Sequence, residues 1–300
     1  IALQSRVVTA TVHPEGIVVV KMEDRGAKNM FSEALLEGLK ETFAHIERAS
    51  AYKVVILTGY DNYFASGGTK ESLLSVQKGK TKFTDIGIFH VALECKLPVI
   101  AAMQGHGIGA GWSMGMFADI VLLSDESRYV SPYMNYGFTP GAGATYSLTD
   151  KMGLDLARES LLAAQQYAGR ELKERGLTLR VVPRMKVDAT AMALARQVAR
   201  FSRSRLIGLK RQLTANALRT LEETYRRELA MHEKTFVGRP DTLAQIQNNF
   251  HQEIEPSSPV EPQQPAVERS NASVDSEALP AVTATLKTLL ATELQMRERD

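Results

Sequence analysis

Apolar and polar positions alternate in short, regular blocks over the first 250 or so residues. Val7–Val12 and Ile17–Met22 flank His13-Pro14-Glu15-Gly16 and predict a β-hairpin. Phe31–Arg48 places Leu35, Leu36, Leu39, Phe43 and Ile46 at helical spacing, which predicts a helix with one core-facing stripe. The uninterrupted apolar runs at 54–59, 99–103 and 120–123 predict buried strands, with helical stretches between them. From Asp188 onward the spacing is helical, over 188–201, 204–216 and 218–234. Strand–helix alternation that gives way to helices predicts an α/β fold with a helical C-terminal region.

The pattern breaks near Glu253. Five of the 11 prolines lie between Pro256 and Pro280, among Ser, Glu and Gln. Such a tract buries too little apolar surface to offset its ordering entropy, so 251–278 is expected to be a semi-extended linker after a domain spanning 1–250. Val282, Leu286, Leu289, Leu290 and Leu294 then return at helical spacing, predicting one amphipathic helix over 279–300. That helix has nothing of its own to pack against. The sequence opens on Ile1 with no signal-peptide pattern, and the expectation is a piece of a longer chain.

Composition narrows the function classes. At 44% hydrophobic and 23% charged residues the chain is ordinary for a globular protein, and no apolar run approaches the roughly 20 residues of a membrane span. The net charge of +2 sets up no global field for nucleic acid. The single cysteine, Cys95, precludes an internal disulfide framework and suits a reducing cytoplasm; its apolar setting predicts a buried thiol rather than a nucleophile. Asp61, Asp119, Asp125 and Glu126 lack metal-ligand spacing, so no metal is expected.

Chemistry is expected where glycines follow the buried strands. One site, Asn62–Lys70 with Gly67-Gly68, follows the strand at 54–59; another, Gln104–Gly111, follows that at 99–103. Both lead into a helix start, whose N–H groups lack intrahelical acceptors. Two converging starts would aim two donors at one oxygen and form an oxyanion hole. For either site alone a tight turn suffices; the pair favours function. Gly105-x-Gly107-x-x-Ala110, with Asp125 beyond it, also fits a dinucleotide fingerprint, but that fingerprint belongs to a first βα turn and leaves Gly67-Gly68 without a role.

Phe64-x-x-Gly67-Gly68, Gly105–Gly111 and Tyr136-Gly137-Phe138-Thr139-Pro140-Gly141-Ala142-Gly143-Ala144-Thr145 together resemble the crotonase (enoyl-CoA hydratase/isomerase) superfamily over about residues 5–250. The resemblance implies a spiral of ββα units, an oligomer (a trimer), and backbone N–H groups of Gly68 and Ala110 holding a thioester oxygen. Hydratases of that superfamily carry two glutamates; the matching positions here hold Ser113 and Tyr133, and neither is a carboxylate base. Longer strings are similar to the decarboxylating members of polyketide β-branching cassettes: Gly59–Thr69, Thr81–Asp85, Met103–Gly109 and Met231–Phe236. By that resemblance Lys82 is the active-site lysine and His232 the active-site histidine. The helix at 279–300 looks like the first helix of an acyl carrier domain, in keeping with a larger polyketide synthase.

Each candidate has a plainer explanation. Lys82 lies in a charged loop with Lys78 and Lys80, either of which could take its role. His232 alone would read as a capping histidine, and His106 as structural. Tyr133 and Tyr136 are candidates for lining the acyl pocket or for ordinary packing. Arg203, Arg205, Lys210 and Arg211 could meet an acidic carrier protein or a phosphopantetheine phosphate, or form a solvated helix face. The expected reaction is decarboxylation of a 3-methylglutaconyl-type thioester, carried on the phosphopantetheine of an acyl carrier protein, with no bound cofactor. The alternatives are an enoyl-thioester isomerase or hydratase, and a non-catalytic carrier-binding module.

Overall fold

The computed structural model describes residues 1–250. The expected linker at 251–278 and helix at 279–300 lie outside the described residues. Among the described residues there are ten strands: β1 (Val8–His13), β2 (Ile17–Met22), β3 (Val54–Thr58), β4 (Tyr63–Ala65), β5 (Val99–Met103), β6 (His106–Ile108), β7 (Ile120–Ser124), β8 (Arg128–Val130), β9 (Gln166–Ala168) and β10 (Arg180–Val182). The helices are α1 (Glu33–Arg48), α2 (Lys70–Gln77), α3 (Val91–Glu94), α4 (Ala110–Met116), α5 (Ala144–Met152), α6 (Leu154–Ala163), α7 (Gly169–Glu174), α8 (Arg184–Ala199), α9 (Arg203–Thr235) and α10 (Pro240–Asn249).

The larger sheet runs β1-β2-β3-β5-β7-β10. Its first pair is the expected hairpin, in register from Val8↔Met22 to His13↔Ile17, and the remaining pairs are parallel. The central strands read as unbroken apolar runs because both faces are buried. Val55 and Leu57 of β3 point into the main core with α1 residues Leu35, Leu39 and Ile46, whereas Val54 and Ile56 face the opposite side. There α8 closes the sheet with Val187, Ala191, Ala195 and Ala199, a stripe at four-residue spacing whose small side chains let the helix lie close. Ser32 caps α1, its hydroxyl accepting the Leu35 N–H at 3.1 Å.

A second sheet, β4-β6-β8-β9, is made of three-residue strands that carry too few positions for an alternation to register, and the sequence pattern does not reveal it. Strands β3 and β4 precede α2, and strands β5 and β6 precede α4, so each turn of the chain visits the large sheet, the small sheet and a helix. This is the ββα spiral. The glycine sites therefore follow the small sheet, not the buried strands directly. Side chains fix the two layers: Gln104 Oε1 accepts the Gly59 N–H at 3.1 Å while its Nε2 donates to Tyr63 O of β4 at 3.3 Å, and Tyr129 accepts the Ser124 N–H at 2.9 Å while donating to Met103 O at 3.0 Å. At the C-terminal side, the two helices expected at 204–216 and 218–234 are one continuous α9 of 33 residues. No proline intervenes, and Ala217, a strong helix former, carries the chain across the expected break.

Cys95 is buried and free, and desolvation pushes its thiol up to about 12. The folded protein should therefore resist an aromatic disulfide reagent, and denaturation should release one reactive thiol. Rapid labelling of the native protein would contradict this burial.

Candidate active site

The two glycine sites meet because β4 and β6 pair in parallel, Tyr63 opposite His106 and Ala65 opposite Gly107. A Cβ on Gly111 would lie 2.3 Å from Ala65 O, so only glycine lets the first turn of α4 rest against β4. A Cβ on Gly67 would meet Ile108 O at 3.0 Å and Ala110 N at 3.5 Å. The start of α4 and the approach to α2 are thus adjacent. Gly68 directly precedes Thr69, whose hydroxyl caps α2 by accepting the Ser72 N–H at 3.1 Å. Ala110 is the first residue of α4, following Gly109 at φ 53°. Among the described residues, neither the Gly68 nor the Ala110 N–H has a backbone acceptor. Two free donors side by side can polarise one carbonyl oxygen.

His232 lies in the last turn of α9 and is 2% exposed. Its Nε2 sits 2.8 Å from Thr139 O and 3.0 Å from Pro140 O. Carbonyl oxygens only accept, so Nε2 bears the proton in the neutral ring and Nδ1 is left with a lone pair. Nδ1 is buried and has no hydrogen-bond partner. Burial holds the imidazole below its ordinary value, and the two carbonyls oppose that shift. Gly141 leaves room for the ring: a Cβ there would lie 2.3 Å from Cε1.

The Phe83 ring meets His232 edge-on at 4.4 Å, and Phe236 lies 5.7 Å away on the same ring. Lys82 immediately precedes Phe83. It is exposed, and its N–H donates to Asp85 Oδ2 at 2.7 Å at the head of the Phe83–Asp85 turn. The fold thus brings the backbone of Lys82 beside His232, from the other side of the sequence. Lys78 is exposed just past the end of α2, and Lys80 is exposed two residues further on.

Ser113 and Tyr133 are both buried, and neither hydroxyl has a partner in hydrogen-bonding geometry. They are neighbours. Burial drives the Tyr133 phenol above its ordinary value, the Ser113 hydroxyl pulls it back, and the Glu228 carboxylate adds to the rise. Tyr133 also reaches the oxyanion site: a Cβ on Gly109 would be 4.0 Å from its hydroxyl. Tyr136 takes a different place. Its ring stacks on Phe138 at 6.1 Å, and Phe138 in turn stacks on Phe236 at 4.1 Å, which puts Tyr136 in an aromatic layer behind His232.

His106 is structural. Its Nδ1 accepts the Arg128 N–H at 2.9 Å, and burial, with Arg184 and Arg128 nearby, lowers it to about 4. The basic run on α9 divides: Arg205 and Arg211 are exposed, whereas Lys210 and Arg203 are tied into the fold. Lys210 is 4% exposed and donates to Ala92 O, Leu97 O and Asp119 Oδ2 at 2.7–2.9 Å. Arg203 donates to Tyr52 O and Ala49 O. A buried ammonium needs all its donors satisfied, and this one ties α9 to the base of β5. Among the described residues no group of three or more His, Cys, Asp or Glu side chains is placed to hold a metal, and no helix is long and apolar enough to cross a membrane. Sequence reasoning passed over Phe83 and Glu228. The four-residue spacing of Glu228 and His232, which puts both on one helix face, was the available signal.

The fold is a spiral of ββα units that brings two glycine-rich helix starts together. The sequence profile of the enoyl-CoA hydratase/isomerase family matches residues 13–245, and the chain belongs to that family. The bacillaene synthase decarboxylase PksI of Bacillus subtilis (strain 168) is 52% identical over 220 residues, covering 73% of this chain and 88% of PksI. A solved structure of a dehydratase/decarboxylase enzyme couple involved in polyketide β-branching matches with a TM-score of 0.80 at 48% identity, over 82% of this chain and 99% of that one. The ECH2 decarboxylase domain of CurF from Lyngbya majuscula matches with a TM-score of 0.77 at 38% identity, over 81% and 99% of the two chains.

A buried hydroxyl whose only polar neighbour lies outside hydrogen-bonding geometry carries a desolvation cost that nothing offsets. Tyr133→Phe should therefore leave the denaturation midpoint unchanged or raise it. A loss of more than about 1 kcal/mol would reveal a partner for that hydroxyl.

Proposed function

We propose that the protein decarboxylates a 3-methylglutaconyl-type thioester on an acyl carrier protein, giving a 3-methylcrotonyl-type or β,γ-unsaturated thioester during polyketide β-branching. The observation that carries this reading is the contact of Phe83 with His232, which joins the Lys82 turn to the histidine in a fold whose hydratase base positions are Ser113 and Tyr133. Likeness to PksI and to the CurF decarboxylase domain supports it.

The carbon–carbon bond to the distal carboxylate breaks, CO₂ leaves, and the electron pair moves through the conjugated double bond onto the thioester oxygen. The N–H groups of Gly68 and Ala110 hold that dienolate oxygen; one such donor is typically worth about 10²–10³ in rate. Lys82 pairs with the carboxylate before it departs. Its charge sits on a long stem, so an exposed backbone position still allows reach. His232 then protonates carbon. With Nε2–H held by Thr139 and Pro140, Nδ1 is the atom that carries the transferred proton: it takes that proton from solvent before the step, making the ring an imidazolium, and returns to the neutral Nε2–H form on giving it to carbon. The thioester itself is the electron sink, so the reading needs no bound cofactor. A trimer follows from the family resemblance, and the exposed side chains of Phe201, Leu209 and Leu213 offer apolar surface for it. A cytoplasmic setting suits the reduced, buried Cys95.

The test is to incubate the protein with 3-methylglutaconyl-carrier protein and weigh the acyl product. Loss of the mass of CO₂ is expected. Gain of one water would make it a hydratase, and an unchanged mass would leave an isomerase or a binding module. His232→Ala should slow the reaction by about 10²–10⁴ with the fold intact. Lys82→Ala should abolish most turnover, while Lys78→Ala and Lys80→Ala should be nearly silent, as exposed loop substitutions usually are. Full activity in Lys82→Ala would pass its role to one of those neighbours.

A further inference from the structure

Glu228 lies one turn before His232 on α9 and is 4% exposed, yet no step of the proposed reaction uses it. Its carboxylate reaches across to the loop after Pro140. Oε2 accepts the Gly143 N–H at 2.8 Å, and Oε1 accepts the Thr145 N–H at 3.1 Å and the Thr145 hydroxyl at 2.6 Å. These donors are the N-cap and first turn of α5, whose N–H groups have no intrahelical acceptor and favour an anion. Burial disfavours the charged carboxylate, and the three hydrogen bonds counter that.

A local Ser, Asp or Asn could cap α5 at far lower desolvation cost. What a local cap cannot do is tie α5 to α9. The same stretch of α9 grips the same loop at two further points: His232 Nε2 bonds to Thr139 O and Pro140 O, and the Thr235 hydroxyl meets the Thr139 hydroxyl at 2.7 Å. Glu228 therefore fixes the downstream end of a loop whose upstream carbonyls set the histidine.

We infer that Glu228 is a positioning residue. By anchoring Gly143 and Thr145 it holds the Thr139 and Pro140 carbonyls against His232 Nε2–H, and so keeps Nδ1 as the proton-carrying atom. It touches no substrate. The inference rests on the catalytic role proposed for His232, but the arrangement it describes exists in the free protein.

Glu228→Gln keeps the side-chain shape and turns one acceptor into a donor facing a backbone N–H, which loosens the loop. Thr145→Val, which removes only the hydroxyl contact, serves as a milder second variant. Histidine ¹⁵N NMR of the protein without substrate reads the ring directly, with His232→Ala assigning the signal. The wild type should show His232 as the Nε2–H tautomer at alkaline pH. In both variants the signal should move toward a mixture of tautomers. Turnover of 3-methylglutaconyl-carrier protein by Glu228→Gln should fall about 10²-fold in kcat with KM unchanged, the size of effect a small misplacement produces. An unaltered Nε2–H tautomer in the folded variants would overturn the inference, whatever happened to activity, because Glu228 would then be a structural cap only. A shifted tautomer in a protein that never decarboxylates would leave the positioning in place and remove the proposed reaction instead.

Discussion

Parallel pairing of two three-residue strands, β4 and β6, is the constraint on which the site depends. Each strand ends in a glycine-rich turn that opens a helix. Once Tyr63 sits opposite His106 and Ala65 opposite Gly107, the free N–H groups of Gly68 and Ala110 must emerge side by side. The larger sheet and its two apolar cores serve this pairing. They hold β3 and β5 in register, and Gln104, through Tyr63 O, and Tyr129 carry that register across to the small sheet. A donor pair built from backbone costs no side-chain entropy and needs no reorganisation when charge develops, which is what stabilising a dienolate requires.

The opposite wall of the site belongs to α9. Helix periodicity places Glu228 and His232 on one face, and both bind the 139–145 loop. The histidine is consequently fixed by main-chain carbonyls rather than by a carboxylate partner. In the neutral ring those acceptors demand a proton on Nε2, so the choice of tautomer is made by the loop. Phe83 and Phe236 pack against the ring, and the turn that supplies Phe83 also supplies Lys82. The hydroxyls of Ser113 and Tyr133 provide no strong base near the oxyanion site, consistent with chemistry that breaks a carbon–carbon bond without adding water.

The large sheet was legible in the sequence because two-sided burial writes unbroken apolar runs such as Val54–Thr58, and the hairpin because its alternation surrounds a turn. The small sheet was not, since Tyr63–Ala65 or His106–Ile108 alone have no period to detect. Gly67-Gly68 and Gly109 could be read as backbone sites from their chemistry, but their convergence required the pairing of strands far apart in the chain. His232 and Lys82 were legible only through resemblance: nothing local distinguishes His232 from a helix-end histidine or Lys82 from its exposed neighbours. Lys210 shows the reverse error. A lysine within a basic run reads as surface, and only the packing of α9 on α3 and the turns before β5 and β7 reveals the carbonyls and carboxylate that bury it.

The central claim is that Gly68 and Ala110 polarise the thioester carbonyl. Isotope-edited infrared spectroscopy of a 3-methylcrotonyl thioester, ¹³C-labelled at the carbonyl and bound to the protein, addresses it without turnover. Two hydrogen bonds to one oxygen should lower the C=O stretch relative to the same thioester free in water. A stretch at or above the free value would mean that the two N–H groups do not hold the oxygen, and would contradict the account.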